Sequence, residues 1–415
     1  MLWVCVAVEP GVNVANLLVI SRFSDQHFLN ADYTFVHHQL AHLRKHFDQV
    51  YVLAPAPRIP RPLKPWRRWS ETIRLRLAKE DYAYENVRVF FARYGILESR
   101  FQSGAPLASV LADMQRIIDE NDLHFDLIHA HMATHAWYGA ELGRRRGVPV
   151  VTTIHDDHDG LLRLLDSPGS RAASALVACD ALIRVTPTDI PEIARRIGSE
   201  SNIAYIPNGF DASHVPCESV GRLRSRLDLP GDRPLLIAVA RWVDRKDPLI
   251  LLEALAKLRE RGHRPLPTLC LLGEDRTSGR IQRARARLGL ERDVCIRGRQ
   301  EPDDVLRYMR AATAVVLYSR SEGNPTVMFE ALGCGRPFIG SAVGGVPVVL
   351  EDPRLGAFGP PGDVDSLVRL MEQALTTRWD EDYIRAEAAR YTWESVAEQI
   401  QRDVLLPTLA GRSAP

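Results

Sequence analysis

The regular alternation of short β-type runs with helical stretches is the feature that most limits how this chain can fold. In the first half the runs read NLLVIS, QVYVLAP, VRVFFAR, FDLIHAH, PVVTTIH and ALIRVTP. In the second half they read AYIPNG, PLLIAVA, TLCLLGE, VCIRG, AVVLYS and RPFIGS, with helical stretches such as DDVLRYMRAA between them. Alternation of this kind is typical of α/β proteins whose helices cover both faces of a parallel sheet. The sequence therefore predicts two parallel, doubly wound sheets.

The chain of 415 residues is long enough for two such domains. Turn-forming residues cluster in PNGFDASHVP, which places the boundary near 205–220. We predict an N-terminal domain over 1–207 and a second domain over 208–390. The remaining residues, 391–415, read as a final amphipathic helix, which we expect to cross back to the N-terminal domain.

Charge and cysteine usage limit the partners and the compartment. The chain has 53 basic and 52 acidic residues and a net charge of +1, so no overall field favours nucleic acid. Its six cysteines form no CxxC pair, which is typical of thiols in a reducing cytoplasm. The apolar start, MLWVCVAV, is too short to span a bilayer and lacks a basic region. We therefore expect a cytoplasmic protein.

Two carboxylates interrupt an otherwise small and apolar segment, SEGNPTVMFEALGCGRPFIGS, at 321–341. Asn324 is a good N-cap and Pro325 suits the first helical position, so a helix is predicted to begin at Pro325. Glu322 would then lie in the loop after a strand, at the edge where open α/β sheets bind ligands. Glu330 would lie about one and a half turns into the helix.

These groups suit a ligand with a central phosphate and a sugar at each end, which describes a sugar nucleotide. The backbone N–H groups of Thr326 and Val327 would face the phosphate at the helix N-terminus. Each carboxylate would accept hydrogen bonds from a vicinal diol. The residues alone leave a plainer alternative open, in which Glu322 is a solvated loop residue and Glu330 pairs with a buried arginine.

SEGNPTVMFE, followed by ALGCGRPFIGSAVGG, resembles the nucleotide-sugar half of glycosyltransferase family 4 (group 1). Members of that family have the GT-B fold, in which two Rossmann-like domains face each other across a cleft. The resemblance continues through FDLIHAH, VVTTIHD, YIPNGFD, VARWVDRKD, LLGE and IRGRQEPDDVLRYMRAA, which occur in the order of the family and cover most of residues 120–400. It implies a retaining glycosyltransferase that uses a nucleoside-diphosphate sugar without a metal.

Two basic residues follow the strand LLIAVA, and both can reach its carboxyl edge. Arg241 and Lys246 could neutralise a diphosphate there, although a solvated loop pair is the alternative. The resemblance assigns both to the pyrophosphate, where they would also stabilise the departing nucleoside diphosphate.

The resemblance assigns the two carboxylates to opposite ends of the donor. Glu330 would hold the ribose hydroxyls, and Glu322 would hold hydroxyls of the donor sugar. Backbone groups from Gly323 to Thr326 would help to bind the sugar, and Arg299 would lie near the base. The implied nucleotide-sugar site consists of Arg241, Lys246, Arg299, Gly323, Asn324, Thr326, Val327 and Glu330.

Two histidines end neighbouring strands of the N-terminal domain. The resemblance places His131 opposite the donor sugar and the reacting centre, whereas a core or surface role is the alternative for any strand-end histidine. His155 ends the next strand, within HDDHD. That cluster could suggest a metal site, but its residues are adjacent rather than spaced as ligands usually are, so no metal site is predicted.

Two departures from the family pattern concern the acceptor side and a later turn. The first strand–helix loop, SRFSDQHFLNADYT, lacks the glycine pair that relatives often carry there. Val348 stands where many relatives have a glutamate, so Gly344 and Gly345 are predicted only to form a tight turn.

The expected function is transfer of a hexosyl group from a UDP-sugar or GDP-sugar to a glycan or lipid-linked acceptor, with no cofactor. The expected catalytic residues are His131, Arg241, Lys246 and Glu322. A sugar-nucleotide hydrolase or epimerase of the same fold is one alternative, and a non-catalytic nucleotide-sugar-binding protein is another. A Rossmann dehydrogenase is disfavoured because no GxGxxG follows a strand.

The segment RIPRPLKPWRRWSETIRLRLAK, at 58–79, is a local excess of basic residues with two tryptophans. It could be a solvated loop leading into a strand. It could also contact an anionic membrane surface, since basic side chains attract such leaflets and Trp66 and Trp69 suit the headgroup region. That second interpretation would favour a lipid-linked acceptor and a membrane-associated protein.

Overall fold

The fold consists of two parallel-sheet domains. A computed structural model describes residues 15–23, 34–58, 79–95, 108–167, 170–198 and 203–412. Within these residues the first sheet has eight strands in the order β3-β4-β2-β1-β5-β6-β7-β8, and the second has six in the order β11-β10-β9-β12-β13-β14. In each sheet the order runs outward in both directions from the strand that comes first in the chain, β1 or β9, as in doubly wound folds. The predicted α/β fold class is confirmed.

The strands of the first sheet pair in parallel except for the short edge strand β3, which runs antiparallel to β4. They are β1 (Leu17–Ile20), β2 (Val50–Arg58), β3 (Tyr82–Tyr84), β4 (Val87–Gly95), β5 (Leu127–His131), β6 (Val150–Ile154), β7 (Ala181–Arg184) and β8 (Ile203–Tyr205). The helices of this half are α1 (Thr34–Leu43), α2 (Ala108–Glu120), α3 (Ala133–Arg146), α4 (His158–Asp166), α5 (Ala172–Val177) and α6 (Ile190–Ile197).

The second sheet is parallel throughout its described pairings. Its strands are β9 (Leu235–Val239), β10 (Thr268–Leu272), β11 (Val294–Gly298), β12 (Ala314–Leu317), β13 (Phe338–Ser341) and β14 (Gly356–Gly359). The helices around it are α7 (Val220–Arg226), α8 (Pro248–Glu260), α9 (Arg280–Arg287), α10 (Pro302–Ala311), α11 (Thr326–Gly333), α12 (Val346–Val349), α13 (Val364–Thr376) and α14 (Glu381–Ala388). The chain ends in α15 (Trp393–Ile400), a π-helical turn (Gln401–Leu405) and α16 (Leu406–Arg412).

Alternate residues of each central strand pack into different apolar clusters, one on each face of the sheet. In β1, Leu18 and Ile20 belong to one apolar cluster, whereas Leu17 and Val19 belong to another. This division follows from the two-residue period of a strand, and it explains why strands covered on both faces read as unbroken apolar runs. The site-bearing edges of both sheets therefore rest on scaffolds that are buried on both faces.

Two segments cross between the domains, and they bond to each other. Phe210, on the outgoing segment, donates its N–H to Tyr391 O at 3.0 Å, and Trp393 donates to Phe210 O at 2.9 Å. Beyond this crossing, Trp393 and Ile400 of α15 lie in the same apolar cluster as Leu40 of α1. The C-terminal helix thus packs in the N-terminal domain, while α14 packs in the C-terminal domain.

The structure differs from the sequence-based expectations in three respects. AYIPNG was expected in the second half, but β8 pairs with β7 and completes the first sheet, because the chain crosses only after Tyr205. The antiparallel strand β3 and the glycine-rich strand β14 were not predicted. The final helix is also not uniform, since a π-helical turn separates α15 from α16. The proposed membrane segment lies outside the described residues, except for the backbone of Arg58 and for Lys79.

The C-terminal crossing makes one stability prediction. Trp393 is 3% exposed, so Trp393→Ala should lower the free energy of unfolding by about 3–5 kcal/mol through lost burial and a cavity. Urea unfolding would measure it, with Glu394→Ala on the exposed face of α15 as the matched control, which should change stability by less than about 0.5 kcal/mol. Equal stability of the two variants would show that α15 is not an integral part of the N-terminal core.

Candidate active site

A cavity of about 430 Å³ opens at the carboxyl edge of the second sheet. Its lining comes from the ends of β9, β10 and β12 and from the first turns of α11. This edge lies where the strand order reverses between β9 and β12, which is the usual ligand position in doubly wound sheets. Six predicted binding residues line it: Arg241, Lys246, Arg299, Thr326, Val327 and Glu330.

Lys246 and Glu322 form a buried ion pair beside this cavity. Nζ of Lys246 lies 2.5 Å from Oε1 of Glu322, and their side chains are 14% and 7% exposed. Burial lowers the pKa of Lys246; the Glu322 carboxylate opposes this change, and Arg245 and Arg241 reinforce it. Glu322 is therefore not the solvated loop residue of the plainer alternative. The two groups that were expected to hold the diphosphate and the sugar neutralise each other.

Glu330 faces the cavity without a cationic partner. Among the described residues no hydrogen bond or ion pair holds its carboxylate, so the alternative of a buried arginine partner is wrong. Burial raises the pKa of Glu330 to about 7. Its ionised form would accept hydrogen bonds from hydroxyl groups of a ligand.

The remaining predicted cations lie at the rim of the cavity. Arg241 and Arg299 are exposed, and neither guanidinium has a hydrogen bond or ion pair among the described residues. Gln300 and Glu274 also line the cavity, although the sequence analysis did not single them out. Each stands two residues after a strand end, which is the signal that could have found them.

The helix after Glu322 begins one residue later than predicted. Its first residue is Thr326, with Pro325 at the N-cap position in an extended conformation. The expectation that Asn324 caps the helix is wrong, because its Nδ2 donates instead to Val185 O of the N-terminal domain at 2.5 Å. Thr326 and Val327 remain in the first turn, where backbone N–H groups lack intrahelical acceptors.

The loop that carries Glu322 is packed backbone against backbone. A Cβ on Gly323 would lie 3.0 Å from His155 O, across the domain boundary. A Cβ on Gly344, whose φ is +55°, would lie 2.0 Å from Gly323 O. Gly345 donates its N–H to the same oxygen at 2.8 Å. Gly344 and Gly345 therefore support the loop that carries Glu322 directly, which is more than the tight turn that was expected of them.

The facing wall comes from the ends of β5 and β6. His131 is 1% exposed, and its Nδ1 lies 3.2 Å from Nε2 of His155. Burial lowers the pKa of His131 well below its ordinary value, with smaller contributions from neighbouring histidines. Burial also lowers the pKa of His155 to about 3. Both rings are therefore neutral at physiological pH.

The turn after His131 is strained, and hydrogen bonds to residues of the neighbouring strand and loop hold it in place. Met132 has φ of +73°, which is unusual for a residue with a side chain. Its N–H donates to Thr153 O at 2.8 Å, and Oδ2 of Asp156 accepts the N–H of Ala133 at 3.0 Å. These bonds fix the end of β5 to the loop after β6. Strain that the surroundings maintain in this way is common at functional sites.

Arg184 is a structural residue of this wall that the sequence analysis missed. It is fully buried and forms a bidentate pair with Asp189, at 2.9 and 2.6 Å. Its remaining nitrogen donates to Ile154 O and Asp156 O, on either side of His155. The signal was an arginine inside the apolar run ALIRVTP, since a charge in a buried strand requires partners.

Two further findings concern metals and membranes. In the part of the chain that the structure describes, no group of three or more His, Cys, Asp or Glu residues is arranged to hold a metal ion, and HDDHD is no exception. The described helices include none of sufficient length and apolarity to cross a bilayer.

Both halves of the chain match models of known families. The model for glycosyl transferases group 1 matches residues 220–391, and the model for Glycosyltransferase Family 4 matches residues 34–214. The chain belongs to glycosyltransferase family 4, group 1. The resemblance drawn from SEGNPTVMFE and the motifs before it is thereby confirmed, as is the GT-B fold.

Individual relatives agree with this family assignment. The chain is 27% identical to the D-inositol 3-phosphate glycosyltransferase of Acidothermus cellulolyticus over 304 residues, which is 66% of this chain and 66% of that protein. It is 24% identical over 366 residues to the putative teichuronic acid biosynthesis glycosyltransferase TuaC of Bacillus subtilis, covering 87% and 88% of the two chains. Anabaena HepE, solved with UDP-glucose, shares the fold with a TM-score of 0.67 at 20% identity, over 94% of this chain and 99% of that one.

Glu330 gives this glycosyltransferase a pH-dependent stability. Its pKa is raised from 4.5 to about 7, so the folded protein binds this proton more tightly than the unfolded chain does. The free energy of unfolding should therefore fall by about 2 kcal/mol as pH rises from 4.5 to 7, allowing for water that reaches the cavity.

Unfolding in urea at a series of pH values would test this contribution. Glu330→Gln should remove it and make the variant relatively more stable above pH 7. Glu253→Gln, on the exposed side of α8, is the matched control and should keep the slope of the unaltered protein. A Glu330→Gln variant with that same slope would show that Glu330 is ordinarily solvated.

Proposed function

We propose that this protein is a retaining, metal-independent glycosyltransferase that moves a hexosyl group from a UDP-sugar or GDP-sugar to a glycan or lipid-linked acceptor. The observation that carries the proposal is the convergence on one cavity of two unpaired cations, a helix N-terminus and an unpaired carboxylate. Arg241 and Arg299 supply the cations, and Glu330 supplies the carboxylate. Few ligands other than a nucleotide with a diphosphate need all of these groups.

The diphosphate would lie between Arg241 and the first turn of α11. Guanidinium and ammonium groups and free backbone N–H groups stabilise phosphate oxygens without a metal ion. A diphosphate would also compete with Glu322 for Lys246, because both present anionic oxygens. Lys246 would then turn to the phosphate, and the Glu322 carboxylate would become free for hydroxyls of the donor sugar.

The two ends of the donor follow from that placement. The ribose would lie against Glu330, whose ionised form accepts hydroxyl hydrogens, and the base would lie towards Arg299 and Gln300. The donor sugar would lie between Glu322 and the wall formed by His131. Binding of two hydroxyls would favour the ionised carboxylate at Glu330 and lower its pKa.

A retaining, front-face reaction is consistent with the state of these side chains. His131 is buried and neutral, so it is suited to accept or donate a hydrogen bond rather than to supply charge. Glu322, once Lys246 has turned to the phosphate, would accept hydrogen bonds from hydroxyls of the donor sugar, and this role differs from attack on the anomeric carbon. The cations around the diphosphate would stabilise the negative charge on the leaving nucleoside diphosphate.

The acceptor is proposed from the relatives and not from the site. TuaC carries a name from cell-wall polysaccharide synthesis, and the Acidothermus enzyme is named for an inositol phosphate. These names support a hydroxyl acceptor on a glycan or other polyol. We also propose that residues 58–79 contact an anionic membrane, which would favour a lipid-linked acceptor. Sedimentation with anionic liposomes would test the membrane contact.

Product analysis separates this function from its alternatives. With UDP-glucose as donor, a transferase should release UDP much faster when D-inositol 3-phosphate or a glycan acceptor is present. A hydrolase would release UDP equally fast without an acceptor, an epimerase would change the sugar without releasing UDP, and a binding protein would do neither. Proton NMR of the product should show the anomeric configuration of the donor, and an inverted product would refute retention.

The cation assignment predicts specific losses of UDP affinity. Arg241→Ala should weaken UDP binding about 10- to 100-fold, because a charge-assisted phosphate contact contributes about 1.5–3 kcal/mol. The Arg241 guanidinium has no hydrogen bond or ion pair among the described residues, so its removal should not unfold the chain. Calorimetry would measure the loss, and Lys257→Ala, which removes a surface pair with Asp365, is the control. Unchanged affinity of Arg241→Ala would place the diphosphate elsewhere.

The carboxylate assignment predicts an asymmetry between two matched variants. UDP has a ribose but no donor sugar, so Glu330→Gln should weaken UDP binding more than Glu322→Gln does. Calorimetry with UDP and with GDP would show it. Equal losses, or a greater loss at Glu322, would contradict the assignment of Glu330 to the ribose.

A further inference from the structure

Two cysteines stand side by side on neighbouring strands of the second sheet. Cys270 of β10 and Cys295 of β11 are partners in the parallel register, so their side chains lie on the same face of the sheet. Both are free thiols, and both pack in the apolar cluster that contains Leu223 of α7. Cys270 is fully buried, whereas Cys295 is half-buried. Only Cys295 of this pair can therefore be reached by a molecule from outside.

The strand spacing brings the two thiols within reach of a disulfide bond. Neighbouring strands lie about 4.8 Å apart, and a disulfide joins Cα atoms that are about 4.4–6.8 Å apart. The two Cβ atoms of a disulfide approach to about 3.8 Å, so the bond would draw β11 about 1 Å towards β10. Among the described strands β11 lies at the edge of the sheet and pairs with β10, so it can shift without disturbing another strand.

A cavity of about 340 Å³ leads to Cys295. It lies at the amino ends of β10 and β11, which is the edge of the sheet opposite the active-site cavity. Its lining includes four arginines: Arg233, Arg285, Arg292 and Arg297.

The charge of this cavity favours an anionic molecule. Of its four arginines, only Arg233 forms an ion pair among the described residues, with Asp293 at 2.9 Å. The acidic residues of the lining are Asp228 and Glu291, so positive charge is in excess. An anion drawn into the cavity would lie next to the Cys295 thiol.

The surroundings of the two thiols also divide their roles. The neighbouring Cys270 thiol lowers the pKa of Cys295, and Arg297 and Arg285 lower it further, although burial opposes them. The pKa of Cys270 is raised, first by Cys295 and then by burial. Because the thiolate is the nucleophile in disulfide exchange, Cys295 is the thiol suited to attack, and Cys270 is the thiol that reacts second.

We propose that Cys295 is a modification site for an anionic low-molecular-weight disulfide, and that Cys270 resolves the adduct into a Cys270–Cys295 bond. The Cys295 thiolate attacks one sulfur of the small disulfide, whose S–S bond breaks, and one small thiolate leaves. Cys270 then loses its proton to solvent, its sulfur attacks Sγ of Cys295, and the second small thiolate leaves. In total the two protein thiols lose two electrons, and the small disulfide is reduced to two thiols.

The same two strands lead from this bond to the active-site cavity. Glu274 lines that cavity just after β10, and Arg299 lines it just after β11. The strand ends are joined, since the N–H of Gly273 donates to Gly298 O at 2.6 Å. A shift of β11 would therefore move Arg299 relative to the other cavity residues. This consequence rests on the proposed function, in which Arg299 lies near the base, and it predicts that oxidation weakens UDP binding.

Peptide mass spectrometry of the full-length protein treated with oxidised glutathione would test the modification. After a timed reaction the remaining thiols are blocked, and digests are compared with and without dithiothreitol. A peptide that joins Cys270 to Cys295 should form. Cys217, an exposed cysteine of the interdomain segment, is the matched control and should keep its glutathione. Glutathione on Cys217 without any Cys270–Cys295 link would overturn the proposal.

Two single variants separate the roles of the thiols. Cys270→Ser should stop the reaction at the first step and leave glutathione on Cys295. Cys295→Ser should leave Cys270 unmodified, because Cys270 is fully buried. Glutathione on Cys270 in the second variant, or none on Cys295 in the first, would contradict the assigned roles.

The charge of the small disulfide tests the role of the arginines. In Cys270→Ser, oxidised glutathione should react with Cys295 about 10-fold faster than the cationic disulfide cystamine does, with both rates taken relative to Cys217. Arg292→Gln together with Arg297→Gln should reduce this preference. Equal relative rates for the two disulfides would show that the cavity does not select an anion.

Calorimetry with UDP tests the connection to the active site. The cross-linked protein should bind UDP about 5-fold more weakly or worse, and dithiothreitol should restore the affinity. Cys295→Ser should bind UDP equally well before and after oxidation. Unchanged affinity of the fully cross-linked protein would refute this connection. If the reduced protein does not bind UDP, the proposed function fails, whereas the mass spectra still decide whether the bond forms.

Discussion

The buried ion pair between Lys246 and Glu322 is the interaction on which the organisation of the site depends. It joins the loop after β9 to the loop after β12, the two strands between which the order of the sheet reverses. Removing either partner would leave an uncompensated charge in a nearly dry position, which is costly. The pair therefore holds both side chains in place between the two loops. It is also the contact that an anionic diphosphate can exchange most readily, because the phosphate offers Lys246 an equivalent partner.

Around this pair the two domains meet through backbone contacts rather than through apolar side chains. Gly323 lies against His155 O, Gly344 lies against Gly323 O, and Asn208 and Asn324 tie the same loop to the N-terminal domain. Side chains at either glycine would push the loop away from the wall. Because these positions hold glycines and amides, the wall that carries His131 lies opposite Glu322. The backbone hydrogen bonds of Phe210 with Tyr391 and Trp393 limit how the domains can move relative to each other.

Sequence periodicity was sufficient to predict both sheets and the helices that carry the site, because strands buried on two faces produce unmistakable apolar runs. It could not show to which sheet β8 belongs, because the residues of a strand do not specify the strands with which it pairs. The start of α11 was misplaced for a related reason: local preference makes Asn324 an N-cap, but a long-range bond to Val185 O uses its side chain. Glu322 pairs with Lys246, which lies 76 residues earlier in the chain, and no local sequence pattern indicates a pair at that separation. The family resemblance brought both residues to one site, yet it assigned them to separate parts of the donor and did not reveal that they bind each other.

A crystal structure with bound UDP-glucose would test the central claim most directly. The contact between Lys246 and Glu322 should be replaced by a contact of Lys246 with the phosphate and a contact of Glu322 with the glucose. Nζ of Lys246 should leave Glu322 and lie about 3 Å from a phosphate oxygen, with the Glu322 carboxylate turned to hydroxyls of the glucose and Glu330 bonded to the ribose. A structure in which the nucleotide lies outside the cavity, or in which the Lys246–Glu322 pair remains intact beside a bound diphosphate, would contradict the account.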